Sequence, residues 1–166
     1  MPALFMGVRT ALYWQVMIRI NSEQAMREFG ERIGRSVRGG EVIELIGDVG
    51  AGKTTFVRGL ATGMGVTETV QSPSFTISRV YDTDDGRRLV HYDFYRLSDA
   101  GIMADELSEA MHDDKAVIVI EWADAVANVL PEERVTLTIR ANADDTRMVE
   151  ASVKGEVNRE LEEQLQ

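Results

Sequence analysis

The run Gly47-Asp48-Val49-Gly50-Ala51-Gly52-Lys53-Thr54 constrains this chain more than any other stretch. It fits G-x-x-x-x-G-K-[ST] without a gap. Ahead of it lies Glu41-Val42-Ile43-Glu44-Leu45-Ile46, a short β-branched run that ends in glycine and reads as a strand. Behind it, apolar residues at 56, 57, 60 and 61 have helical spacing. Strand, glycine loop and helix is the order in which backbone N–H groups can turn inward around a polyphosphate. The N-terminus of the helix adds its positive dipole end to the same anion. A glycine-rich turn that bound nothing would have no need of a lysine and a hydroxyl at the helix start. In this pattern Lys53 reaches the β- and γ-phosphates and the Thr54 hydroxyl holds Mg²⁺.

A phosphate loop also needs acids, because Mg²⁺ takes oxygen ligands and keeps several waters. Parallel strands present such groups at their C-terminal ends. Asp93 follows Val90-His91-Tyr92, and Glu121 follows Ala116-Val117-Ile118-Val119-Ile120. The latter run is continuously apolar, as in a central strand covered on both faces. Glu121 is the favoured metal ligand, and Asp93 is assigned to the attacking water or the metal shell. An acid after a strand is also a common helix cap, so both readings stay open. The hydroxyl-rich loop Val70-Gln71-Ser72-Pro73-Ser74-Phe75-Thr76 stands where nucleotide switches sit, and equally where a plain turn would. His91 is read as structural, His112 as solvated, and Trp122 as core or rim packing.

The rest of the chain supplies a frame. Tyr13–Ile20 alternates as a strand, and Asn21 or Ser22 caps a helix that buries Ala25, Met26, Phe29 and Ile33 and stops at Gly39-Gly40. The helix after the phosphate loop is expected to close at Gly63 and Gly65. A strand Phe75–Tyr81 leads through an Asp-Gly turn at 82–86 into the strand 88–92. Residues 97–111 read as one or two short acidic helices. Strands follow at 135–139 and 147–153, and Val157, Leu161 and Leu165 mark a weak amphipathic helix. Residues 1–12 carry little pattern; they are expected to be a disordered extension or a start upstream of the natural one, with 13–166 as one domain.

Composition excludes several classes. The chain has 166 residues and no cysteine, so thiolate chemistry and Cys-ligated zinc are ruled out. No apolar run approaches a membrane span and no secretory signal is evident, so a cytoplasmic protein is expected. A net charge of −10 leaves no basic face for nucleic acid.

Together the motifs closely resemble the TsaE (YjeE) family. The resemblance is carried by Gly47–Thr55 with Phe56-Val57-Arg58-Gly59, then Ser72-Pro73-Ser74-Phe75-Thr76, then His91-Tyr92-Asp93-Phe94-Tyr95-Arg96-Leu97, then Ile120-Glu121-Trp122, and it spans roughly residues 16–140. It implies an α/β fold: a single P-loop domain whose mixed, largely parallel sheet is flanked by helices. It implies ATP and Mg²⁺ as cofactors, and hydrolysis that is weak alone and raised by partners. Those partners would be TsaD and TsaB, which transfer threonylcarbamoyl to adenosine 37 of tRNAs reading ANN codons, with tRNA engaged indirectly through the complex. The nucleotide set would be Gly47, Asp48, Val49, Gly50, Ala51, Gly52, Lys53, Thr54 and Thr55. The family's Mg²⁺ ligands map onto Thr54 and Glu121, and the HxD aspartate maps onto Asp93. The switch threonine is Ser74 here, which keeps the hydroxyl. An N-terminal acid that lies near the nucleotide in relatives maps near Glu23. The proline often found after Glu-Trp is Ala123.

Rival readings are a small-molecule kinase, a GTP switch and a non-catalytic, ATP-dependent assembly factor. No lid-like arginine cluster and no Asn-Lys-x-Asp loop is present to support the first two.

Overall fold

The computed structural model describes residues 13–99 and 101–166. The extension expected over residues 1–12 lies outside the described residues. Among the described residues seven strands form one mixed sheet in the order β1-β7-β6-β2-β5-β4-β3. These are β1 (Tyr13–Ile20), β2 (Val42–Ile46), β3 (Ser78–Asp82), β4 (Arg88–Asp93), β5 (Ala116–Glu121), β6 (Arg134–Ala141) and β7 (Arg147–Lys154). The four inner strands β6-β2-β5-β4 run parallel, while β1, β7 and β3 join antiparallel at the two sides.

The period of two along a strand divides the core into two layers. Val117 and Val119 of β5 face a cluster built on α1 (Glu23–Ser36), α2 (Lys53–Met64) and α4 (Arg159–Leu165). Ala116, Ile118 and Ile120 face the opposite cluster, which holds Leu107 of α3 (Ile102–Ala110) and Val126 of the short 3₁₀ turn Ala123–Val126. Both faces of β5 are therefore covered, which explains its unbroken apolar run. The tail helix also forms, with Leu161 and Leu165 fully buried against the first cluster.

Helix α1 starts where the Ser22 side chain accepts a hydrogen bond from the Ala25 amide at 3.0 Å. It stops at Ser36, three residues before the glycine pair. Helices α1 and α2 cross at glycines. A Cβ on Gly59 would stand 2.0 Å from the Arg27 carbonyl oxygen, and one on Gly30 would stand 2.3 Å from that of Phe56. Hydrogen alone lets the two backbones approach this closely, and the approach fixes α2 over the sheet.

Two expectations need correction. Gly63 does not close α2; it lies inside the helix against α1, and Gly65 is the cap, at φ 88°. The strand expected from Phe75 begins only at Ser78, because the Pro73 carbonyl accepts from the amides of Thr76 and Ile77 and bends the chain. Ile77 is thereby held at φ 69°, a costly setting for a β-branched residue. The acidic segment 97–111, expected to form one or two short helices, forms one, α3.

Candidate functional site

The glycine loop leaves the C-terminal end of β2 and enters α2 at Lys53. Gly50 at φ 81° and Gly52 at φ 111° take a handedness that side chains resist. The loop is tied down from a distant strand: Arg147 Nε of β7 donates to the Ala51 carbonyl oxygen at 2.9 Å. Lys53 is buried and turns back under the loop. Its Nζ donates to the carbonyls of Gly47 and Asp48, the latter at 3.0 Å. The same ammonium lies 4.7 Å from the centre of the Trp122 ring. Desolvation lowers the Lys53 pKa, while the negative charges of Glu121, Asp93 and Asp48 oppose that shift.

Across the cavity stand the two carboxylates. Asp93 and Glu121 are register partners at the ends of β4 and β5, and both are buried. Their surroundings differ. Asp93 Oδ1 accepts from the Tyr95 amide at 3.0 Å, and its Oδ2 accepts from the hydroxyls of Ser72 at 3.1 Å and Ser74 at 3.3 Å. The two serines also bond each other at 2.7 Å. Glu121 Oε1 instead meets His91 Nε2 at 2.9 Å. One acid is joined to the hydroxyl loop, and the other to a residue of the neighbouring strand.

Lys53, Thr54, Thr55, Ser74, Asp93 and Glu121 line one cavity of about 350 Å³, together with Val49, Gly50 and Gly52. Trp122 and Tyr95 form part of its wall, with ring centres 4.9 Å apart. Glu23 does not join this group. It lines an adjoining cavity of about 500 Å³ with Asp145 and Arg147, and the two cavities share Gly50, Gly52 and Thr55. Gly47, Asp48 and Ala51 line neither space; the first two offer their carbonyls to Lys53, and Ala51 offers its carbonyl to Arg147.

The residues fit a magnesium–nucleotide. Thr54, Asp93 and Glu121 give hard oxygen donors only, as Mg²⁺ prefers. Among the described residues nothing stands within 4 Å of where a Gly50 side chain would begin, so that face of the loop is open to an anion.

Three participants escape sequence reasoning. Trp122, read as core or rim packing, does pack against the second core cluster, and what escaped is that its ring also sits against the Lys53 ammonium. Arg147 reaches the loop across 96 positions of sequence, with no local signal. His91 had a usable signal: alternation along β4 puts it on the same face as Asp93, beside the face of β5 that carries Glu121.

The sequence model described as "Threonylcarbamoyl adenosine biosynthesis protein TsaE" matches residues 20–149. A protein of Streptomyces coelicolor named tRNA threonylcarbamoyladenosine biosynthesis protein TsaE is 42% identical over 136 residues, covering 79% of this chain and 92% of that protein. A namesake from Treponema pallidum is 40% identical over 129 residues, covering 77% and 93%. The crystal structure of YdiB from Bacillus subtilis superposes with a TM-score of 0.74 at 30% identity, covering 94% of this chain and 97% of that one. The glycine loop, the paired strand-end acids and this match over most of the length agree, and the chain belongs to the TsaE family of threonylcarbamoyl adenosine biosynthesis proteins.

Proposed function

We propose that this protein binds ATP with Mg²⁺ and hydrolyses it, and that it serves threonylcarbamoyl modification of adenosine 37 in tRNA together with TsaD and TsaB. The observation that carries the reading is the buried Lys53 ammonium, which shares one cavity with Thr54, Asp93 and Glu121. A desolvated cation beside two carboxylates is a costly arrangement to keep for stability alone. Polyphosphate supplies the anion that makes it favourable.

Each residue then has a task. The amides of the loop and of the first turn of α2 donate to phosphate oxygens. Lys53 stabilises charge that builds on the transferring phosphoryl group, in a site sheltered enough for that charge to count. Thr54 and Glu121 would hold Mg²⁺, directly or through water, and the ion would supply charge neutralisation to the phosphates. Asp93 orients the attacking water. Ser74, bonded to Asp93, links the Ser72–Thr76 loop to the state of the nucleotide. Glu23 lines the adjoining cavity, which Asp93 and Glu121 do not line, and would face the nucleoside there.

The acidic balance of the chain suits a subunit that docks on protein while its partners hold the tRNA. The test is ATP hydrolysis measured alone and after addition of TsaD, TsaB and tRNA. A low basal rate that rises with the partners is expected; an unchanged rate contradicts the partnership.

A further inference from the structure

We propose that His91 is a positioning residue for hydrolysis, fixing the carboxylate of Glu121 through an Nε2–H···Oε1 hydrogen bond; this rests on the role given above to Glu121. The imidazole is fully buried and Nε2 lies 2.9 Å from Oε1. A carboxylate offers lone pairs only, so Nε2 carries the proton. The bond engages one oxygen and leaves Oε2 directed to other partners, which is the arrangement a cation or its water needs.

The other ring nitrogen supplies the second argument. Nδ1 of His91 is buried and has no hydrogen-bond partner among the described residues. Burying an unpaired polar atom costs stability. A purely structural position on this face of β4 would be filled better by Leu or Phe, as Leu89 fills the preceding inward position. The one side-chain hydrogen bond that His91 makes among the described residues is with Glu121, so that contact is what the cost maintains. Ligating carboxylates are commonly held by such outer partners, which set their orientation.

The geometry also separates the two acids. Asp93 is held by the hydroxyls of a loop, whereas Glu121 is held by a neighbouring strand of the parallel sheet. His91 therefore gives Glu121 a fixed place that does not follow the Ser72–Thr76 loop.

The test compares His91→Leu, His91→Gln and His91→Asn in the full chain. Gln carries an N–H near the place of Nε2, Leu carries none, and the shorter Asn does not reach Glu121. Loss of the positioning bond should lower kcat by about tenfold to a hundredfold in Leu and Asn, with KM for ATP shifted by less than about threefold, while Gln returns most of the rate. Asn keeps the comparison open if Leu fails to fold. Nitrogen-15 spectra of the imidazole, recorded without nucleotide in a His112→Gln background, should show Nε2 protonated and Nδ1 bare. An Nδ1-protonated ring, equal rates in folded Gln and Asn variants, or an unchanged rate in folded Leu overturns the proposal. Glu121→Gln is measured alongside. Full activity there removes the role of Glu121 and the positioning with it, whereas its loss together with full activity in His91→Leu overturns the positioning alone.

Discussion

Asp93 and Glu121 stand opposite one another across the parallel pair β4–β5, as register partners at the two strand ends. The sheet thus brings together two acids that are 28 positions apart in sequence and faces both toward Lys53. Because the strands are parallel and adjacent, the sheet sets the backbone of both acids, while the Asp93 carboxylate is held in addition by the hydroxyls of Ser72 and Ser74. Asp93→Ala should reduce ATP hydrolysis by about a hundredfold or more, the range for loss of a group that handles the attacking water. Turnover with saturating Mg²⁺–ATP checks this. Ser74→Ala removes one of three hydrogen bonds to Asp93 and should cost much less in the same assay.

Lys53→Ala should lower kcat by about a hundredfold to a thousandfold, as for removal of one preorganised charge donor. The fold should survive, since burial already disfavours this ammonium. Circular dichroism and turnover on the same sample separate loss of chemistry from loss of structure.

Gly59→Ala sets two effects against each other. Alanine is the better helix former by about 1 kcal/mol. The new Cβ, however, would stand 2.0 Å from the Arg27 carbonyl, a backbone atom that cannot rotate away. Overpacking of this kind costs about 1–3 kcal/mol or more, so the clash wins. Denaturant unfolding should show a net loss of stability.

Much of this architecture is legible in the sequence because its signals are local. The apolar run 116–120, the Ser22 cap and the glycine loop each fix their own element. What is lost lies between elements. Gly63 looks like a helix end until α1 is laid against it. Phe75–Ile77 looks extended until the Pro73 carbonyl turns the chain. His91 and Arg147 are ordinary strand residues until the sheet and the loop bring Glu121 and Ala51 to them.

Tyr92 offers a pH test. Burial, with the Glu106 carboxylate adding to it, raises the phenol from 10.0 to about 12. The folded protein therefore keeps a proton that the unfolded chain loses between those values, so stability falls as pH rises through 10.0 toward about 12. Tyr92→Phe removes this contribution. The gap in stability between wild type and Tyr92→Phe should move in favour of the variant over that window, as read by urea unfolding at successive pH values.

The most direct measurement is calorimetric titration of Mg²⁺–ATP into wild type and Lys53→Ala. Single-site binding in the wild type that is strongly weakened in the variant is the predicted result. Absence of heat in the wild type, with and without TsaD and TsaB, would contradict the account.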